Sequence, residues 1–586
     1  MINTNDVFHA YNGERILDIL VGRLSTATLL YQGPPARESG AKHTTYAEPE
    51  VMTYFIRTIT AILNLDSEHI NLGFSARSEH SGFNLQKPHL EDHTQPRDAD
   101  SSGRENRPPI KEQLLDFGLD ALRTARSGTT EQHDLARCCA EMLQQLMKNI
   151  EFDPEPFRRA ISTFTDSLHW SVEQADTRLQ ISLLNLMRLV ITKAPPSLES
   201  RQFQAIQTTE KQTHGSDKQH EFKKEDTSVG ISSATMVNTK KTLLDSMMLA
   251  LASQESQSAL AYWVQFLDFV LPYYAPTLFQ ILLPLFDAIK VSIELSFKQL
   301  RNALEQASSA SVFTGEPIQS INALYNALEI VLVRSHDQVT QQETKKTRLP
   351  EPSQGYFGNM VGGIFASETQ APKPATANDR LTVLLCFRDA VRISFNIWAW
   401  EDPGRKHPNH EIVTASSFNY LSVRLKNRTR RALEHLFAAE PLECMEAMTE
   451  VWKAGGVSTG DVTTLFTTLE ATRPKHTMPA IFNAIYSRTN SASLDPFKTS
   501  TLTADLSEVQ LAAFLVSYTR SMDADALDEV WTDCVTFTKD ILANPMPQRQ
   551  ILPLLIEFIA VLGDMINNTN YGEHRRMAKE IGVRSC

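Results

Sequence analysis

Apolar residues recur three and four positions apart through almost the whole chain, and this spacing constrains the fold more than any other feature. The stretch 378–400, NDRLTVLLCFRDAVRISFNIWAW, shows it clearly. Leu384, Phe387, Val391, Phe395 and Trp398 make one apolar helical face, and Arg388, Arg392 and Asn396 step by fours along another. Asn378 and Asp379 stand where a cap belongs, and Pro403-Gly404 closes the segment. Strict apolar–polar alternation, the mark of a half-buried strand, is almost absent. The pattern predicts an all-α protein.

In chain order, the periodicity predicts seven regions. Residues 1–65 form a helical segment, with one stripe at Ile16, Leu17, Leu20 and Leu24 and a second at Met52, Phe55, Ile56, Ile59 and Leu63. Residues 66–110 are polar and carry prolines 88, 96, 108 and 109, and are expected to be a disordered loop. Residues 111–195 hold four helices, and 196–240 form a second disordered loop. Long helices follow over 241–336: Leu243 to Leu271, Thr277 to Ser308, and Ile318 to Ser335. A flexible loop with Pro and Gly covers 337–377, and 378–586 returns to helical repeats. There, a helix from about Ser417 to Phe437 and a second bearing Leu442, Met445, Met448 and Trp452 make a pair of about forty residues, the size of a HEAT-type repeat. The expected fold is an irregular HEAT/armadillo-like α-solenoid with disordered loops.

At 586 residues the chain exceeds what one core accommodates, which suits an extended array. A net charge of −12 argues against a nucleic-acid partner, which would call for a basic field. The segment 269–286, FVLPYYAPTLFQILLPLF, is uncharged and approaches spanning length, but Pro272, Pro276 and Pro284 interrupt it. It reads as a break between two buried helices. Six cysteines show no CxxC and no framework spacing, so they read as small buried hydrophobes. Trp263, Trp398, Trp400 and Trp452 fall in apolar stripes and read as core.

Two stretches stand out as candidate sites. Arg424, Lys426, Arg428, Arg430 and Arg431 crowd one helix. Arg424, Arg428 and Arg431 lie along one edge of its apolar face, Lys426 and Arg430 along the other. Such a helix could lie on anionic lipid. The plainer reading is that these side chains cover a buried helix and pair with Glu434, Glu440 or Glu443. The second stretch is an apolar island in the loop 337–377, with Tyr356, Phe357, Met360, Ile364 and Phe365 as a candidate docking segment for the chain's own solenoid or a partner. Its glycines lack the Gly-Lys-Ser/Thr ending of a phosphate-binding loop. His407, His410 and Glu411 surround Pro408 without further ligand spacing and read as a turn, not a metal site. The chain shows no GxSxG, HExxH or dinucleotide fingerprint, and no enzyme, cofactor or small-molecule substrate is expected.

The runs FGNMVGGIFASE (357–368), NDRLTVLLCFRDAVRISFNIWAW (378–400) and NRTRRALEHLFAAEPLECMEAMTEVW (427–452) together resemble the interior of fungal Dopey-family proteins, leucine-zipper-like proteins of endosome-to-Golgi traffic. The resemblance covers 240–580 well and 1–240 loosely. Dopey proteins are several times longer, and the family's named N-terminal domain and its C-terminal leucine-zipper-like portion are not expected here. The chain thus resembles an internal piece. The resemblance implies a non-catalytic cytoplasmic scaffold, peripheral on Golgi, trans-Golgi-network and endosome membranes. It implies two protein partners, a large scaffold resembling an Arf exchange factor and a lipid flippase of the P-type ATPase class. Two alternatives stay open: a peripheral phosphoinositide-binding helical protein, and a helical transport receptor of the importin class.

Overall fold

A computed structural model describes residues 49–64, 109–127, 130–149, 154–193, 227–306, 316–348, 375–400, 412–455, 459–491, 494, 498–523 and 526–568. Every regular element among them is helical. The chain divides into two compact units, Met1–Phe269 and Val270–Cys586.

The first unit contains α1 (Pro49–Leu63), α2 (Ile110–Thr124), α3 (Thr130–Asn149), α4 (Pro154–Glu173), α5 (Thr177–Lys193) and α6 (Thr227–Ala252). Odd-numbered helices pack on one another, α1 on α3 and α3 on α5. Even-numbered helices do the same, α2 on α4 and α4 on α6. This two-layer stacking defines an α-solenoid. The expected stripes of α1, α2 and α3 are buried: Met52, Ile56, Ile59 and Leu63; Leu114, Leu115, Leu119 and Leu122; Leu135, Cys138, Cys139, Met142 and Leu146. Gly118 lets α2 approach α3 closely, since a Cβ there would lie 2.8 Å from Leu143 Cδ1.

The single helix expected from Leu243 to Leu271 is two helices. α6 ends at Ala252, and a turn with a short 3-10 segment, Gln257–Ala259, precedes α7 (Leu260–Val270). Serines explain the break. Ser253 Oγ accepts the Glu255 amide (3.2 Å), and the buried Ser256 hydroxyl accepts from Gln180 Nε2 at 3.3 Å. Short polar side chains of this kind compete with the helix for backbone groups. Gln180 also donates to Ser171 O and accepts from Trp263 Nε1 at 3.0 Å, which satisfies an indole that is wholly buried.

The second unit contains α8 (Leu278–Gln306), α9 (Glu316–Arg348), α10 (Ala375–Trp398), α11 (Ile412–Ala439), α12 (Pro441–Lys453), α13 (Thr459–Thr468), α14 (Pro474–Thr489), α15 (Glu508–Ser521), α16 (Leu527–Ala543) and α17 (Leu552–Asn568). One layer runs α8, α10, α12, α14, α16, each packed on the next. In the other, α9 packs on α11 and α15 on α17. The segment 269–286 includes a 3-10 turn, Leu271–Thr277, holding Pro272 and Pro276, and the start of α8 with Pro284 inside it. Leu271, Tyr274, Leu278, Leu282, Leu285 and Phe286 are buried, whereas Tyr273 and Leu283 are exposed. No helix among the described residues is long and apolar enough to cross a membrane.

Two expected loops are partly helical. α6 begins at Thr227, inside 196–240, and α9 runs to Arg348, inside 337–377. Helices propagate cheaply once a packed end has nucleated them. The α6 end is packed by Met247, Ala250 and Leu251, and α9 by Val339, with Gln338 Nε2 donating to Ala275 O at 2.7 Å. α2 and α10 also begin just inside expected loops, at Ile110 and Ala375, and residues 66–108, 196–226 and 349–374 and the stripe at Ile16 to Leu24 lie outside the described residues. Of the tryptophans, Trp263 is core, while Trp398, Trp400 and Trp452 are half-buried. Cys138, Cys139, Cys386, Cys444 and Cys534 are free and buried. Burial pushes the Cys386 and Cys534 thiols up to about 12 and holds Cys139 and Cys444 well above the ordinary thiol range, so these four are inert packing groups.

Candidate interaction surface

The basic set predicted from sequence lies on α11. Its buried residues are Leu425, Thr429, Ala432, Leu433, Leu436 and Phe437. Arg428 turns toward α9, where Nη1 and Nη2 meet the Glu329 carboxylate at 2.7 and 2.8 Å and Nη2 also meets Asn326 Oδ1. Its guanidinium sits 5.6 Å from the Tyr325 ring centre. Arg430, on the opposite edge, donates to the Thr468 carbonyl at the end of α13 (3.0 Å). Arg424 and Arg431 are exposed, with no ion-pair or hydrogen-bond partner among the described residues, and Lys426 is half-buried. The structure therefore divides the five cations. Arg428 is an interhelical clamp, Arg430 a helix-end contact, and Arg424 and Arg431 are free cations on the solvent face.

Glu434, Glu440 and Glu443, expected as partners of this set, are committed elsewhere. Glu434 accepts the Glu470 and Ala471 amides. Glu440, before the first turn of α12, binds Arg380 at 3.1 and 3.3 Å and His336 at 3.1 Å, joining α9, α10 and α12. Glu443 holds the backbone of the segment 498–507. The spacing along α11 aims its cations at α9 and α13, not at α12. Tyr356, Phe357, Met360, Ile364 and Phe365, and also His407, His410 and Glu411, lie outside the described residues.

A second charged site was only half visible in the sequence. α12 carries Glu443, Glu446 and Glu450 at positions i, i+3 and i+7, one stripe of carboxylates on a helix buried on almost every side. Arg388 and Arg392 of α10 converge on a single oxygen, Glu450 Oε2, with Arg388 at 3.0 Å. Arg392 also meets Asp389 at 3.3 Å, and Asp389 pairs with Lys290 of α8 at 2.7 Å. Burial pushes the Glu450 carboxyl up, but Arg388 and Arg392 outweigh it and hold the group below its ordinary value. Glu446, fully buried, pairs with Arg488 of α14 at 2.5 Å.

These groups grip 498–507, an irregular strap with no helix among its residues after position 498. Glu443 accepts Thr501 N at 2.9 Å and Thr501 Oγ1 at 3.1 Å. Burial nonetheless raises the Glu443 carboxyl, because the two Thr501 donors only partly offset the loss of water. Glu450 Oε1 accepts Asp505 N at 2.9 Å, Arg488 Nε donates to Leu506 O at 2.9 Å, and Lys453 donates to Asp505 O at 2.8 Å. Arg388 also bonds Thr503 Oγ1. Side chains of α12 and α14 thus satisfy strap backbone groups, and Arg388 of α10 adds a contact to a strap side chain. Leu502 takes a left-handed φ of 56° and is 54% exposed. The stepping of Arg388 and Arg392 was legible. Their partner lies 58 residues beyond Arg392, and the acidic stripe of α12 was the unread signal.

No group of three or more His, Cys, Asp or Glu suited to a metal occurs among the described residues. Comparison with known proteins gives two family-model matches: the DOP1 TPR domain over residues 136–329 and the DOP1 C-terminal model over 514–583. The second corrects the expectation that the family's C-terminal portion has no counterpart here, and the first reaches well into the stretch expected to resemble the family only loosely. Protein dop1 of Emericella nidulans is 45% identical over 343 residues, covering 58% of this chain and 18% of that protein. Protein DOP1 of Saccharomyces cerevisiae is 23% identical over 354 residues, covering 58% of this chain and 20% of that protein. The chain spans about a fifth of the length of these relatives. A solved circular tandem repeat protein aligns with 98% of the chain at a TM-score of 0.23 and 12% identity, and the fold description rests on the helices themselves. The two family models, one over α-helical repeats and one over the last three helices, and the 45% identity to a fungal dop1 place this chain in the Dopey family.

Proposed function

We propose that this chain is a scaffold section of a Dopey-family protein acting without catalysis in endosome-to-Golgi vesicle transport, on the cytoplasmic face of those membranes. The observation that carries the reading is the family match combined with the two-layer stacking within each unit. Stacked helix pairs present long surfaces suited to many distributed protein contacts. The proposed partners are a large scaffold resembling an Arf exchange factor and a P-type ATPase lipid flippase. The test is expression of the tagged chain in Emericella nidulans, with imaging against Golgi and endosome markers and co-purification of the two partner classes. Enrichment on those membranes with either partner supports the reading. A chain that stays folded but is diffuse and captures neither overturns it.

A second reading is favoured by one observation, the exposed and unpartnered guanidinium groups of Arg424 and Arg431. Such cations near an anionic surface contribute about 1 kcal/mol each. Direct lipid contact predicts that the chain floats with phosphoinositide-containing vesicles, that salt releases it, and that Arg424→Ala with Arg431→Ala abolishes flotation.

A further inference from the structure

We propose that Thr503 is a phosphorylation site whose phosphate is bound in place by Arg388 and Arg392. Thr503 is exposed, on a strap segment that a kinase could reach as extended chain, beside the outward-facing Leu502. Its hydroxyl already touches Arg388. Arg388 is more than nine-tenths buried, and its Nε has no hydrogen-bond partner. A buried donor without an acceptor is costly and marks a place where an anion gains more than it would in water.

The charge balance points the same way. Arg388 and Arg392 share one carboxylate oxygen, Glu450 Oε2; beyond it Arg388 has only the neutral Thr503 hydroxyl and Arg392 only Asp389 at 3.3 Å. Lys453 reaches the neighbouring Asp505 carbonyl. The hydroxyl meets Arg388 and, at 2.9 Å, the Thr501 hydroxyl; the charged groups linked to these are Arg392, Lys453 and Lys290 on one side, and Glu450, Asp389, Asp505 and Glu443 on the other. Asp389 is occupied by Lys290 and Arg392, and the exposed Asp505 carboxylate pairs with Lys453 at 3.4 Å. A phosphate, with three acceptor oxygens and a charge near −2, competes directly with Glu450 for the two guanidinium groups. Thr501 offers the contrast. Its hydroxyl faces the Glu443 carboxylate, so a phosphate there meets like charge and loosens the strap.

The reaction is transfer of the γ-phosphoryl group of ATP by a Ser/Thr protein kinase. A bond forms between Thr503 Oγ1 and the γ-phosphorus, and the bond from that phosphorus to the β–γ bridging oxygen breaks. ADP leaves, and the hydroxyl proton passes to the kinase's base. The product ties the strap to α10 by charge-assisted hydrogen bonds, fixing the surface formed by Leu502 and the end of α12.

The test uses the full chain with phosphothreonine installed at position 503 or 501 by genetic-code expansion. Phosphate at 503 is expected to raise Tm by about 2–4 °C and to slow amide exchange over 500–506 by about tenfold. Phosphate at 501 is expected to speed it. The gain at 503 disappears in Arg388→Gln and, should that variant not fold, in the more exposed Arg392→Gln. The gain grows in Glu450→Gln, where the competing carboxylate is gone. In parallel, the tagged chain expressed in Emericella nidulans is purified and mapped for phosphopeptides. A phosphate at 503 that leaves exchange unchanged or faster, a gain that survives loss of the arginines, or an expressed chain with Thr503 unmodified overturns the proposal.

Discussion

Arg388 on α10 and Glu450 on α12 are joined by a 3.0 Å bond in a largely buried seam, and the same carboxylate holds the backbone of the strap through Asp505 N. One side chain thus couples two helices and a loop. Glu450→Ala leaves Arg388 buried without a counter-charge. We expect a loss of about 3–5 kcal/mol from the second unit, measured by urea unfolding. Replacing Arg388 and Glu450 together by Met and Leu is expected to recover much of that loss, because the uncompensated charge then disappears.

The pH dependence of the second unit follows from two carboxyls shifted in opposite directions. Glu450 is lowered in the folded state, so its contribution is present above the unfolded value of about 4.3 and is lost as pH falls through its folded value. Glu443 is raised, so the folded state takes its proton more readily, and stability declines as pH rises from the unfolded value through the folded one. Glu450→Gln is expected to remove the acid-side loss, and Glu443→Gln to remove the decline above about pH 4.3. Urea unfolding across acidic and neutral pH measures both limbs.

In the first unit, Gln180→Leu strands the Trp263 indole N–H, and we expect a cost of about 1–3 kcal/mol for each buried polar group left unsatisfied. Thermal unfolding with tryptophan fluorescence reads it directly. Gln180→Glu, which keeps the acceptor, is expected to retain the indole bond while burying a carboxylate.

Gly118→Ala sets helix propensity against packing. Alanine gains about 1 kcal/mol in a helix interior, but its Cβ would lie within 3.0 Å of three atoms of the buried Leu143 side chain. Overpacking of this kind costs about 1–3 kcal/mol. The expected net is a modest destabilisation, and Gly118→Ala combined with Leu143→Ala is expected to cost less than the two single changes added together, as a double-mutant cycle would show.

The cations of α11 separate by role. Arg428→Ala is expected to destabilise by about 1–3 kcal/mol, because it loses Glu329, Asn326 and the Tyr325 ring together. Arg424→Ala and Arg431→Ala are expected to change stability by less than about 0.5 kcal/mol. Any loss of vesicle binding in the latter pair therefore reports contact and not unfolding.

The periodicity of apolar residues determined the helices, most of their faces and the all-α class, because a 3.6-residue repeat is a local property that burial reads out directly. It even exposed the paired steps of Arg388 and Arg392. It misjudged 227–240 and 337–348 as loops because propagation from a packed end needs no apolar stripe, and it ran α6 and α7 together because Ser256 finds its partner, Gln180, 76 residues away. The partners of Arg428, Arg388 and Glu443 were decided only by the tertiary structure. Charges carry no periodicity that names a mate across 58 to 115 residues, and a carboxylate pairs with whatever cation or amide the stacking brings within 3 Å. For the same reason the sequence could mark five cations on α11 but could not tell the clamp from the free surface.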